Sequence, residues 1–96
     1  MSYAPKIVLQ LPISNLDLLD TFVEACLHDG VTLIAIVGED ASRIDDIIDE
    51  IVVGDASDPT RFINTTFHPN DTVEEVLDFA KRWEEERGQP VQLVRL

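Results

Sequence analysis

Two hydrophobic periods take turns along this chain. The run KIVLQL (6–11) is rich in β-favouring residues and stops at Pro12, which cannot donate to a ladder. In SNLDLLDTFVEACLHDG (14–30), Leu16, Leu19, Val23, Cys26 and Leu27 recur three and four apart, as on one helical face. Ser14 or Asn15 is expected to cap this helix, with Asp17 at the positive end of its dipole, His28 at the negative end and Gly30 at the left-handed exit. VTLIAIV (31–37) is almost wholly apolar, which predicts a strand covered on both faces.

The pattern then repeats. Gly38 opens a second helix reaching about Val53, with Ile44, Ile47, Ile48, Ile51 and Val52 as its apolar stripe. GDASDPT (54–60) has turn composition, and RFINTTF (61–67) is a third strand, polar enough to lie at an edge. HPNDT leads into a third helix, striped by Val73, Val76, Leu77, Ala80 and Trp83 and ended by Gly88 and Pro90. VQLVRL (91–96) is a fourth strand.

The resulting order, βαβαβαβ with short connections, predicts one α/β domain over residues 1–96, with a mostly parallel four-stranded sheet and three packed helices. Placing the two most apolar strands in the middle gives the order 3-2-1-4, as in half of a dinucleotide-binding, Rossmann-like fold. The flavodoxin-like order 2-1-3-4 is the alternative.

Charge narrows the function. Nineteen Asp and Glu oppose seven Lys and Arg, a net −12. The cations are scattered, so nucleic acids and anionic membranes are expected to be repelled, whereas a basic protein partner is not. The single cysteine excludes an internal disulfide and fits a reducing compartment. The N-terminus lacks the layout of a signal peptide, and the run LIAIV is too short to span a bilayer. A cytoplasmic protein without a cofactor is the expectation.

In such sheets, ligands gather at the carboxyl ends of the strands. Those ends collect Ser14, Asn15, Glu39, Asp40, His68, Asn70 and Asp71. Glu39, Asp40 and His68 are the candidate divalent-cation or acid–base set. The competing explanation is helix capping, which accounts for every residue except His68. Nucleotide binding is disfavoured: LQLPISNLD has no glycine to admit a pyrophosphate, and Gly38 is followed by two acids. Receiver-type phosphotransfer, calcium-loop and zinc spacings are also absent. Cys26 and Trp83 lie on apolar stripes, as core residues would.

One helix remains unexplained. In RIDDIIDEIVVGD (43–55), the side away from the isoleucines carries Asp45, Asp46, Asp49 and Glu50. Asp45 with Asp49, and Asp46 with Glu50, are like-charge pairs four apart, each destabilising by ~0.2–0.5 kcal/mol. Asp49 and Glu50 also approach the negative end of the dipole. The third helix is arranged the other way, with early acids and opposite-charge pairs Asp78–Arg82, Lys81–Glu85 and Arg82–Glu86. The four acids of the second helix are therefore the candidate docking face for a basic partner, with a solvated face as the alternative. Self-association through RFINTTF or VQLVRL is a third reading.

Overall fold

The two most apolar runs lie side by side in the centre of the sheet. A computed structural model describes residues 2–54, 60–83 and 90–96. Its elements are β1 (Lys6–Gln10), α1 (Leu18–His28), β2 (Leu33–Val37), α2 (Ala41–Val53), β3 (Asn64–His68), α3 (Val73–Arg82) and β4 (Val91–Arg95). The strand order is β3-β2-β1-β4, and all three pairings are parallel. The α/β class and the order 3-2-1-4 are thus those read from the sequence. The turn at 55–59, Gly88 and the partners Glu85 and Glu86 lie outside the described residues.

Strand alternation divides the core. Ile7, Leu9, Ile34 and Ile36 face α1 and α2, while Val8, Leu33, Ala35 and Val37 face α3 with its Val76 and Ala80. Burying each large aliphatic side chain stabilises the fold by roughly 1.5–3 kcal/mol. Ile44, Ile48 and Val52 are all buried on α2, so their burial far outweighs the like-charge penalties along the same helix.

Three local features depart from the sequence reading. Asn15 accepts the Asp17 N–H through Oδ1 at 2.9 Å, and its carbonyl accepts from Leu18 N at 3.0 Å. That turn delays α1 to Leu18 and leaves Leu16 exposed, while Phe22 takes the buried position and meets Tyr3 edge to face at 5.3 Å. β3 begins at Asn64, not Arg61, and includes His68. The start of α3 is a capping box: Thr72 Oγ1 accepts from Glu75 N at 3.1 Å, and Glu75 Oε1 accepts from Thr72 N at 2.9 Å.

A buried lysine closes the far end of α3. Lys6 is fully buried on β1, and its Nζ donates to the carbonyls of Ala80 at 2.8 Å and Trp83 at 3.4 Å. The amine satisfies helix-end carbonyls and sits at the negative end of the dipole.

Candidate functional site

The four acids of α2 do not share one environment. Asp46, Asp49 and Glu50 are exposed, whereas Asp45 is 8% exposed and its Oδ1 has no hydrogen-bond partner. The expectation that all four lie on the solvent side is therefore corrected for Asp45. A thirteen-residue helix turns 100° per residue, and Asp45 directly follows Ile44, so it borders the buried stripe. Burial pushes the Asp45 carboxyl above its ordinary value, and the neighbouring Asp49 and Asp46 charges push the same way. The Thr65 hydroxyl on β3, second in weight after burial, pulls the value the other way by hydrogen bonding, and it also donates to Asp49 Oδ1 at 3.0 Å. Among the described residues, none of the four acids has an ion pair.

The end of α2 is supplied with a cation from outside the helix. Arg61 donates from Nε to Val52 O and from Nη2 to Ile51 O, each at 2.9 Å. It also holds Glu24 of α1 with two bonds, at 3.1 and 2.7 Å. That pairing lowers the Glu24 pKa, chiefly through the hydrogen bond. The helix dipole is thus answered at its carbonyls, but the Asp46, Asp49 and Glu50 side chains are not.

Beside these acids runs an edge strand. Among the described residues, β3 has a strand neighbour only in β2. Asn64 N donates to Thr32 O, and His68 O accepts from Gly38 N, so Asn64, Thr66 and His68 turn their main-chain groups toward β2. Thr65 and Phe67 turn theirs to the free edge. Phe67 shares the α2 face with Thr65 and is 49% exposed; Phe62 and Val53 nearby are 66% and 55% exposed. An open groove of about 560 Å³ is lined by Asp49, Glu50, Val53 and Gly54.

The carboxyl edge holds a different arrangement from the one expected. The Asp17 and Asp40 N-caps place no side-chain bond on their helices, and Asp40 is left-handed at φ 68°. Gly38 is needed where it stands, because a Cβ there would lie 3.0 Å from Leu11 Cβ at a φ of 127°. Glu39 and Asp40 border a small cavity of about 140 Å³ with Pro12, Leu16 and Arg43. His68 is engaged elsewhere: Thr66 Oγ1 lies 2.8 Å from its Nε2, Asp71 Oδ2 lies 3.1 Å from its Nδ1, and the Phe79 ring lies 4.9 Å from its own, tilted by 59°. With Asp71 accepting from Nδ1, the Thr66 hydroxyl donates to Nε2. This chain clasps the end of β3 to the segment that opens α3. Among the described residues, no three His, Cys, Asp or Glu side chains form a group able to hold a metal ion. Glu39, Asp40 and His68 are therefore not brought together as one.

Cys26 is fully buried, and burial with the nearby Asp29 charge pushes its thiol up to about 12. That removes it from nucleophilic chemistry. At the switch in strand order between β1 and β4, Ser14 N donates to Leu96 O at 3.2 Å, across the crevice in which open α/β sheets generally hold ligands. Trp83 packs half-buried against the α3-side core, as its stripe predicts. Among the described residues, no helix is long and apolar enough to cross a membrane.

These features define a small parallel α/β domain with an acidic helix beside one sheet edge. Its family is shown by a model matching residues 7–95: the chain belongs to the family described as a domain of unknown function, DUF7684. No curated protein and no solved structure matches the chain.

Proposed function

We propose that this domain is a small, non-catalytic binding or regulatory module that docks a basic protein partner through α2. One observation carries the reading. Among the described residues, the four acids of this helix have no ion pair, and one of them is buried beside its fellows with an unpartnered oxygen. An opposing cation from a partner relieves that crowding and gains from the net −12 field during encounter. Arg61 and Lys6 serve helix ends instead.

The test compares wild type with Asp46→Ser/Asp49→Ser/Glu50→Gln in capture from native extract. The captured protein is then identified and its affinity remeasured with purified components. A basic partner, bound at least tenfold more weakly by the variant and released by moderate salt, is the expected result. Equal affinity of a folded variant would remove α2 as the docking face.

A further inference from the structure

The geometry of β3 specifies what kind of segment docks: we infer that the partner presents an extended basic strand, which adds to the free edge of β3 and aims alternate cations at Asp45 and Asp49. This rests on the α2 reading and adds a binding mode to it.

Three observations meet at this edge. The first is hydrogen bonding. Thr65 and Phe67 turn their N–H and C=O groups outward from an edge strand, as the bonds of Asn64 and His68 to the β2 side require. The strand NTTFH contains neither of the usual edge guards, lysine and proline. The second is exposed apolar surface: Phe62, two residues before this strand, is 66% exposed, and Phe67, near its end, is 49% exposed. A strand laid along β3 covers Phe67 and extends the apolar face already built by Ile34 and Ile36. The third is charge. Thr65 touches Asp49, and Asp45 lies one turn earlier on the same helix side with a buried, unpartnered Oδ1. Side chains on one face of an added strand recur every second residue, about 6.6–6.8 Å apart, close to the 5.4–6 Å that separates positions four apart on a helix. Alternate lysines or arginines therefore follow Asp45 and Asp49 along α2. A second copy of this chain is a poor occupant, because its own β3 brings the same acids to the same edge.

The probe is an octapeptide of alternating lysine and threonine, followed by amide hydrogen exchange and nitrogen–proton spectra of the full chain at low salt. Its control is the same peptide with every backbone nitrogen methylated, which keeps the charge but leaves no N–H for a ladder on either edge. The expected result is at least tenfold exchange protection of the Thr65 and Phe67 amides by the plain peptide and none by the methylated one. A folded Phe67→Pro variant, which loses the outward N–H together with the phenyl ring, should lose the protection at Thr65. The wild-type exchange result decides the matter even where that variant does not fold. Equal binding of both peptides would overturn strand pairing and leave the acidic docking face standing. Pairing that survives Asp46→Ser/Asp49→Ser/Glu50→Gln unchanged would overturn the charged part of the inference and the α2 reading with it. Binding of neither peptide would overturn both.

Discussion

Arg61 crosses nine residues of sequence to donate its Nε to Val52 O at 2.9 Å, and so places a cation at the end of a helix that has none in its last turn. Lys6 adds a cation to the end of α3, whose last turn already carries Lys81 and Arg82, from a buried position on β1, with Nζ 2.8 Å from Ala80 O. The two helices whose C-terminal ends are described with such contacts are thus closed by cations from other elements. In a chain with seven Lys and Arg, this leaves few to neutralise the acids of α2.

Removing the Arg61 cap should therefore be costly. Arg61→Met leaves the Ile51 and Val52 carbonyls without its donors, and hydrogen bonds from charged donors are worth about 1.5–3 kcal/mol. We expect a loss of about 2 kcal/mol, seen as a melting temperature lower by about 10 °C. Glu24→Gln removes the opposite partner, but that carboxylate is 55% exposed, so the change should stay within about 0.5 kcal/mol. Comparable losses from both variants would place the value of Arg61 in the ion pair and not in the cap.

How far these contacts could be read beforehand depends on their range. β1 and β2 were legible because a continuous apolar run implies cover on both faces, and their central placement then followed. The acidic stripe of α2 was legible for its composition but not for its depth. Asp45 follows Ile44 by 100° of helix turn, and whether that angle is buried depends on how close β3 lies. Arg61 read as the first residue of a strand, since nothing local says that its side chain turns back nine residues. Lys6 was hidden in the same way within KIVLQL. Two signals were present and missed. Thr72 and Glu75 have capping-box spacing, and Thr66 and His68 stand two apart, on one face of a strand.

Cys26 gives a direct probe of opening. Its thiol is fully buried and pushed up to about 12 by desolvation. An aromatic disulfide reagent at pH 8 should react with it only through unfolding, more than a thousandfold slower than with free cysteine. Adding denaturant should raise that rate in step with the unfolded fraction. Rapid labelling of the native chain would show that α1 opens locally.

Salt should stabilise this protein. Asp46, Asp49 and Glu50 are exposed and close together on α2, without an ion pair among the described residues, so their repulsion is of the kind that ions screen. Between 20 and 300 mM sodium chloride the Debye length falls from roughly 20 Å to under 6 Å. The melting temperature is expected to rise by a few degrees, and by less in Asp46→Ser/Glu50→Gln. A flat or falling profile in wild type would show that the crowding carries no net penalty.

Asp45 predicts the pH dependence. Burial raises its folded-state value above the 3.8 of a free carboxyl; the Thr65 hydroxyl, next in weight, lowers it, and the charges of Asp49 and Asp46 raise it again. The folded chain therefore holds this proton more tightly than the unfolded chain, and stability falls as pH rises through that interval. Below 3.8 both states are protonated and no penalty remains; above the raised folded value the penalty is complete. Among the described residues, the groups acting on Asp45 from β3 and α2 are the Thr65 hydroxyl and the Asp49 and Asp46 carboxylates, and none of them is a cation. Asp45→Asn removes the ionisation and offers an amide donor toward Asp49. It should raise stability by about 1 kcal/mol at pH 7 and by nothing near pH 3.5, measured by urea unfolding at both values. A variant less stable than wild type at pH 7 would mean that the ionised Asp45 carboxylate is satisfied in the folded chain, and it would remove the unpartnered oxygen as the reason for a cation to dock beside α2.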